Sequence, residues 1–210
     1  MMIEQYKTLF EPTQPIEIKE KNSRFISQCF PVSTKEEAEE TVKKLWKIHY
    51  DCTHICFAYL LGEGEVSTFR YSDDGEPSGT AGLPIYNEIL RKELFNVLVT
   101  SVRYYGGIKL GTGGLTRTYG ASARAALDSA TIETVIIKKE LVVNIPFDFT
   151  GIAMSYIGRF DGLEIKSTTY TETGSSVTVR IPIASVEKFI ADLVERTGGK
   201  IKPGTVSGNS

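Results

Sequence analysis

The residues of this chain best suited to binding chemistry lie in one glycine-rich block, residues 102–120. An apolar run at 97–102, which predicts a buried strand, precedes the block, and a helix is predicted to begin near Leu115. Glycine lets the backbone approach a ligand closely, and the N–H groups at a helix N-terminus attract anions. The order strand, glycine loop, helix therefore predicts a binding site. Its backbone part comprises Gly106, Gly107, Gly111, Gly113 and Gly114.

Cationic and aromatic side chains accompany these glycines. They are Arg103, Lys109, Arg117 and Arg124, with Tyr104, Tyr105 and Tyr119. Arg117 and Arg124 are seven residues apart, so both should project from one helix face. The cations suit phosphate groups or an acidic partner, and tyrosines can stack on bases. The alternative is that the glycines form tight turns, the tyrosines pack and the arginines are solvated.

A second constellation is the acidic loop, residues 72–82. Its candidate residues are Asp73, Asp74, Glu76 and Ser78. Three carboxylates could hold Mg²⁺ or supply a general base, although the loop lacks the distal glutamate of a calcium site. Alternatively, they order the turn backbone, contact a partner, or pair with Arg103 or Arg117. We favour this second interpretation and predict no metal, no cofactor and no catalytic residue.

Cys52, His54 and Cys56 alternate along a predicted strand, residues 53–61, and would face the same side. Alternate residues of one strand seldom converge on a single tetrahedral metal ion. No helix N-terminus or cation is evident in the sequence to activate either thiol. We therefore predict that these residues belong to the core.

Composition restricts the possible compartments and partners. The chain has 210 residues, a formal charge of −2 and three cysteines. An odd number of cysteines indicates a reducing compartment, and no stretch is typical of a signal peptide or a membrane span. We therefore expect a cytoplasmic protein without a membrane partner. Its weak overall charge means that any nucleic-acid site must be a local patch.

Hydrophobic periodicity predicts an α+β protein with two domains and a short tail. The first, residues 1–137, should contain a hairpin turning near Asn22, helices at 34–49 and 84–93, and the strands and helix around the glycine block. The second, residues 138–204, shows the order β-α-β-β-α, which is typical of a ferredoxin-like sandwich. Residues 205–210 are small and polar, and we predict a disordered tail.

Two long motifs resemble a known family. Ser72-Asp-Asp-Gly-Glu-Pro-Ser-Gly-Thr-Ala-Gly82 and the glycine-rich segment from Val102 to Leu115 are similar to the hallmark motifs of the IMPACT family and its bacterial YigZ-like branch. Lys21-Asn-Ser-Arg-Phe25 and Asp51-Cys-Thr-His54 resemble its upstream motifs. The resemblance extends over essentially the whole chain.

The resemblance implies both a fold and a link to translation. It implies a first domain like domain two of ribosomal protein S five and a second like the ferredoxin-like domain V of elongation factor G. Eukaryotic members inhibit activation of a translation-control kinase by competing for its activating scaffold protein. We therefore predict a non-enzymatic factor that binds RNA or ribosomes and regulates translation. The alternatives are a nucleotide- or phosphate-binding enzyme that uses Mg²⁺, and a regulator that binds a protein partner.

Overall fold

The computed structural model describes residues 3–63 and 66–205. The chain forms two compact units, one from Gln5–Val135 and one that combines residues 136–205 with residues 3–4. Both units mix helices with antiparallel strands, which confirms the α+β class. No helix in the described part of the chain is both long and apolar enough to cross a bilayer. Within the predicted tail, Thr205 lies in a strand, and residues 206–210 are outside the described residues.

The larger unit is built on a five-stranded sheet with the order β2-β3-β6-β4-β5. Its strands are β1 (Gln5–Leu9), β2 (Ile16–Glu20), β3 (Ser23–Pro31), β4 (His54–Glu63), β5 (Val66–Ser72), β6 (Val97–Tyr104) and β7 (Ile132–Ile136). Its helices are α1 (Lys35–Ile48), α2 (Gly82–Arg91) and α3 (Gly111–Asp128). Strands β1 and β7 pair separately as a two-stranded sheet.

Helices cover both faces of the five-stranded sheet. Helices α2 and α3 pack with alternate residues of β3, β4 and β6, including Phe25, Ala58 and Val99. The intervening residues of these strands, such as Tyr59 and Leu98, pack instead against α1. This alternation is the period of two that places successive side chains on opposite faces. The glycine-rich block therefore begins on the central strand, β6, and ends on a helix packed over the sheet.

Several local predictions are confirmed, and the local chemistry explains them. The β2–β3 hairpin turns at Lys21 and Asn22, whose φ angles of 44° and 66° fit a two-residue turn that matches the twist of the strands. The Thr34 hydroxyl accepts a hydrogen bond from Glu37 N at 3.1 Å and caps α1. Helix α1 buries Ala38, Val42 and Leu45, whereas Trp46 remains 36% exposed.

The smaller unit confirms the predicted order β-α-β-β-α. Its elements are β8 (Lys138–Pro146), α4 (Thr150–Ile157), β9 (Glu164–Thr171), β10 (Gly174–Pro182), α5 (Val186–Arg196) and β11 (Gly204–Thr205). The strands form an antiparallel sheet with the order β11-β8-β10-β9. Phe189 and Leu193 of α5 pack on the buried residues of β8 and β10. A chain reversal at 172–173 joins β9 to β10, so Gly174 belongs to β10 rather than to the turn.

Two boundary predictions need correction, and four strands were not predicted. Helix α3 begins at Gly111, four residues before the predicted start near Leu115. Gly111 has a φ of 73°, which glycine adopts without strain, and Leu115 is the first buried residue of the helix. Strand β4 continues beyond residue 61, its predicted end, because residues 57–63 pair with β5. Strands β1, β5, β7 and β11 were not predicted. Strands β1, β7 and β11 pair with strands distant in sequence, and β5 pairs with β4, which directly precedes it.

Candidate nucleic-acid interface

The segment that follows β6 is held flat against the β2–β3 turn. A Cβ atom on Gly106 would lie 2.1 Å from the carbonyl carbon of Asn22, so no side chain fits at this position. Gly106 N also donates a hydrogen bond to Ser23 Oγ at 3.1 Å. The glycine at 106 is therefore required by packing. Gly107, with a φ of 83° and no neighbouring atom within 4 Å of a built Cβ, is exposed instead.

The first turn of α3 is open and contains no acidic residue. Its N-cap residue, Leu110, makes no side-chain capping bond, and Gly111 and Gly113 are exposed. The first N–H groups of a helix lack partners within the helix and carry a partial positive charge. Because Gly111, Gly113 and Gly114 belong to this turn, they do not form a loop before the helix as predicted. Their small size leaves the backbone N–H groups accessible to an anion.

Helix α2 begins in the opposite way. Asp73 of the acidic loop accepts hydrogen bonds from Ala81 N at 2.9 Å and Gly82 N at 2.8 Å, through Oδ1. Its Oδ2 accepts a third bond from Gly79 N at 2.8 Å. The chain thus supplies its own anion to the N-terminus of α2. No described residue does the same for α3.

Two cations beside the open turn have no acidic partner among the described residues. Lys109 and Arg117 are both exposed, and neither forms a salt bridge in that part of the chain. Arg117 lines a groove of about 430 Å³ between α2 and α3, together with Gly120, Ala121 and Arg124. It also lines a second groove next to Lys21. Lys21 was not predicted as a site residue, because the sequence does not reveal how the hairpin turn and α3 are placed.

Arg124 shares the first groove, as its seven-residue spacing from Arg117 predicted, but its charge is neutralised. Its Nη2 donates to Glu88 Oε1 at 2.7 Å and its Nε to Oε2 at 3.1 Å. The hydrogen bond from Arg124 is the main cause of the lowered pKa of Glu88, and Arg91 adds a second bond. Glu88 was not predicted as the partner of Arg124. The sequence offered one indication, because Glu88 is an acidic residue of α2, the helix that precedes β6.

Arg103 and Tyr119 cannot contact a partner, which corrects their prediction as binding residues. Arg103 is 5% exposed and donates to Glu76 Oε1 at 2.5 Å. Tyr119 is fully buried, and its hydroxyl donates to the same oxygen at 2.7 Å. Burial is the main cause of the strongly raised pKa of Tyr119. The expected pairing of a loop carboxylate with Arg103 is confirmed, and the acidic loop and glycine-rich block meet at Glu76.

The two remaining tyrosines of the block differ in accessibility. Tyr105 is 45% exposed, and the Arg103 guanidinium lies 5.4 Å from its ring centroid. The Tyr104 hydroxyl is hydrogen-bonded to His49 Nδ1 at 2.8 Å, and burial raises its pKa. Tyr105 is therefore the aromatic side chain of the block that best offers a free ring for stacking.

The other residues of the acidic loop and the neighbouring strand stabilise the fold. Asp74 Oδ2 accepts a hydrogen bond from Ile55 N at 2.6 Å, and Ser78 is exposed without a described hydrogen bond. Cys56 is buried and its thiol donates to the Asp73 carbonyl, while His54 Nδ1 is hydrogen-bonded to the Asp74 carbonyl. Burial raises the pKa of the Cys56 thiol strongly. Within residues 3–63 and 66–205, no group of three or more histidine, cysteine or acidic residues is placed to hold a metal.

Comparison with known proteins identifies the family. The Impact N-terminal domain matches residues 21–127, which include both the acidic loop and the glycine-rich block. The IMPACT family member YigZ of Escherichia coli is 33% identical over 195 residues, covering 91% of this chain and 94% of that protein. The IMPACT family member YvyE of Bacillus subtilis is 42% identical over 127 residues, which are 60% of this chain and 58% of that protein.

A solved structure is similar to this chain over nearly the full length of both proteins. A crystal structure described as that of a hypothetical protein matches with a TM-score of 0.75 and 28% identity. The match covers 99% of this chain and 100% of the other. The matching domain includes the open first turn of α3, Arg117, and the first turn of α2 that Asp73 caps. The chain belongs to the IMPACT family and resembles its YigZ-like members.

Proposed function

We propose that this protein is a non-enzymatic cytoplasmic factor that binds ribosomal RNA and regulates translation. The binding surface consists of Tyr105, Lys109, Arg117 and the first turn of α3, and is called here the glycine-rich surface. The proposal rests on the contrast between the two helix N-termini. Helix α2 is capped by Asp73, whereas α3 presents uncapped N–H groups beside Lys109 and Arg117, which have no acidic partner within residues 3–63 and 66–205.

This combination suits the RNA backbone. A phosphate group at the first turn of α3 would accept hydrogen bonds from exposed backbone N–H groups and be attracted by the helix dipole. Lys109 and Arg117 would contact phosphates nearby, and each such contact makes binding more sensitive to salt. The exposed ring of Tyr105 could stack on an unpaired base, which is the usual way in which proteins recognise single-stranded RNA.

Binding is favoured over catalysis by the state of the acidic loop. Asp73 and Asp74 accept hydrogen bonds from backbone N–H groups, and Glu76 is bound by Arg103 and Tyr119. These contacts engage both oxygens of Asp73 and one oxygen each of Asp74 and Glu76, which supports a structural role for the acidic loop. The hydrogen bonds to these carboxylates also reduce the repulsion that free acidic side chains would exert on RNA.

The expected domain types are part of the proposal. We propose that residues 1–137 form a domain like domain two of ribosomal protein S five, and that residues 138–204 form a ferredoxin-like domain. The order β8-α4-β9-β10-α5 supports the second assignment. The resemblance to elongation factor G makes the ribosome the preferred source of the RNA. Fold likeness alone does not determine function, so the binding test must be direct.

Sedimentation with purified bacterial ribosomes at low and high salt tests this proposal. We expect the protein to sediment with ribosomes at low salt and to dissociate at high salt. A Lys109→Glu/Arg117→Glu variant should bind at least about tenfold more weakly, because two attractive contacts become repulsive. Anisotropy titrations with labelled ribosomal RNA fragments should give the same ranking and a shallower salt dependence.

Lys43→Glu/Lys47→Glu provides the matched control. Both lysines are exposed on α1, which covers the opposite face of the sheet, so this variant has the same net charge but an intact glycine-rich surface. We expect it to bind like the unmodified protein. Equal weakening by both double variants would indicate a general charge effect and contradict the proposed surface. Free sedimentation of the unmodified protein at every salt concentration would contradict ribosome binding itself.

A further inference from the structure

The two edges of the five-stranded sheet differ in their protection against pairing with another strand. Strand β2 is five residues long and carries the charged residues Glu17, Lys19 and Glu20. Strand β5 has seven residues, contains no proline, and carries one charge, Arg70. Its register with β4 continues without a bulge over the described pairs. Short length, charges and bulges are the usual devices that prevent edge pairing, and of these β5 has only the single charge of Arg70.

An apolar surface lies beside this open edge. It consists of Phe69, Tyr71, Leu83, Tyr86 and Leu90, called here the edge patch. Phe69 and Leu90 are 53% and 46% exposed. The Phe69 and Tyr86 rings stack with centroids 4.8 Å apart, which joins β5 to α2. Large apolar side chains grouped in this way at the rim of a sheet indicate an interface.

The edge patch combines a strand and a helix stripe. Leu83, Tyr86 and Leu90 are spaced by three and four residues, so they follow one face of α2. Phe69 and Tyr71 pair with Leu60 and Ala58 of β4, which places them on the sheet face covered by α2. A partner that covers the whole patch must therefore add a strand beside β5 and, on the same face, an apolar helix.

We propose that this partner is a second copy of the chain, with the two β5 strands paired antiparallel around a two-fold axis at Phe69. Phe69 is the midpoint of β5, so this register pairs all seven residues. It joins the two sheets into one of ten strands and brings the two α2 stripes to the same face. A symmetric pair supplies the strand and the helix together, which an isolated extended peptide does not.

The charges on β5 are compatible with this register. Thr68 would lie opposite Arg70 of the other copy, and Ser67 opposite its Tyr71, so no two like charges face each other. An axis at Arg70 would place the two arginines opposite one another, which is unfavourable in an antiparallel pair. Arg70 is already held on the α1 face by Glu39, with Nη1 and Oε1 2.7 Å apart. Its side chain remains 51% exposed and can still reach a carboxylate across the interface.

Two substitutions at position 68 test the register because they should act in opposite directions. Thr68→Glu places a carboxylate opposite Arg70 of the other copy and should lower the dimer dissociation constant about three- to tenfold. Thr68→Arg places like charges opposite one another and should raise it by a similar factor. Sedimentation equilibrium over a wide concentration range measures both constants. A nonspecific disturbance of the strand would change both variants in the same direction.

Phe69→Lys and Tyr50→Lys form a matched pair of aromatic-to-lysine changes. The first places two lysines at the axis and should abolish dimerisation, whereas Tyr50 is 83% exposed next to α1, away from the edge patch, and should have no effect. Circular dichroism establishes that each variant is folded. A monomer at all concentrations, or a dimer unaffected by the position-68 charges and by Phe69→Lys, would overturn the proposal. Neither result depends on RNA binding, because the glycine-rich surface is unchanged in all these variants.

Discussion

The N-termini of α2 and α3 show how similar local features lead to different roles. Both helices begin with small residues after a loop, and both follow motifs that the sequence makes conspicuous. At α2, the Asp73 carboxylate accepts two of the first N–H groups and fixes the acidic loop. At α3, no acidic residue lies in the first turn, and Lys109 and Arg117 are exposed beside it. The first arrangement stabilises the fold, and the second leaves room for a ligand.

The difference between these two helix N-termini shows that a conspicuous polar motif need not be a binding site. The acidic loop directs its carboxylates inward, to backbone N–H groups and to the buried side chains Arg103 and Tyr119. The glycine-rich surface directs backbone and cations outward. If the contrast is correct, changes in the acidic loop should reduce stability, and changes in the glycine-rich surface should reduce binding with little effect on stability.

The largest loss of stability is expected for Glu76→Ala. This change removes the carboxylate that binds both Arg103 and Tyr119 and leaves the Arg103 charge buried without its partner. Breaking a buried ion pair on one side typically reduces the free energy of unfolding by about 3–5 kcal/mol. Urea denaturation followed by circular dichroism measures this effect. Ser78→Ala in the same loop is the control, and we expect it to change stability by less than about 0.5 kcal/mol.

A Glu76→Ala protein of unchanged stability but weaker RNA binding would contradict the structural role assigned to the acidic loop. It would mean that Glu76 acts in binding and that the acidic loop belongs to the functional surface. Equal stability of the Glu76→Ala and Ser78→Ala variants would likewise contradict the structural role assigned to the buried cluster.

Asp73→Ala should produce the next largest effect. It removes three hydrogen bonds from backbone N–H groups to a carboxylate, two of which cap α2. We expect the free energy of unfolding to fall by about 3 kcal/mol, since such charge-assisted bonds are stronger than neutral ones and water can replace part of the loss. Hydrogen exchange at the start of α2 should become faster than in the unmodified protein, and exchange at the start of α3 should stay unchanged. Unchanged exchange at α2 would show that Asp73 is not the cap.

The two arginines of the α2–α3 groove should respond differently to acid. Arg124 lowers the pKa of Glu88, so their interaction stabilises the fold fully above the ordinary glutamate value of 4.5 and is lost as the pH falls through the lowered value. Arg124→Gln should therefore reduce stability at pH 7, and its effect should diminish as the pH falls below 4.5 and through the lowered pKa of Glu88. Arg117→Gln should have little effect at either pH. Urea denaturation at several pH values distinguishes the two variants.

A pH-independent loss in Arg124→Gln would indicate that the guanidinium stabilises the groove by packing rather than by charge. A pH-dependent loss in Arg117→Gln would mean that Arg117 has an acidic partner, which would remove it from the glycine-rich surface.

The smallest change in stability is expected for Gly113→Asp, which tests the difference between the two helix N-termini directly. Gly113→Asp gives α3 the acidic residue that its first turn lacks, and a built Cβ there meets only the Arg117 Nη1 atom, at 3.4 Å. We expect the free energy of unfolding to rise by about 0.5–1 kcal/mol, because an acid near a helix N-terminus is favourable and glycine is a poor helix former. RNA affinity should nevertheless fall, since the carboxylate occupies the position proposed for phosphate.

Gly113→Ala separates the two contributions to this result. It should stabilise the helix without adding charge and should weaken RNA binding less than Gly113→Asp does. Unchanged RNA affinity in Gly113→Asp would place the phosphate contact elsewhere. Thermal unfolding and anisotropy titration on the same samples provide both measurements.

Local patterns in the sequence predicted most of the regular structure. Several correct predictions depend on neighbours in sequence: helix α1, the hairpin turn near Asn22, the strand leading to Tyr104 and the β-α-β-β-α order of the smaller unit. Of the strands that were missed, β1, β7 and β11 pair with parts of the chain distant in sequence, whereas β5 pairs with β4, which directly precedes it. The start of α3 was misplaced because consecutive glycines have low helix propensity, which the packing of α3 on the sheet overrides.

The sequence by itself determined the α+β class, the family and the segments that contain the important polar residues, because these follow from local periodicity and from motif spacing. Only the tertiary structure decided the state of each charge. Arg103 and Arg117 are both arginines of one glycine-rich block, yet the first is buried against Glu76 and the second is exposed. The partner of a charge is supplied by another element of the fold, and its identity depends on three-dimensional packing that no local pattern contains.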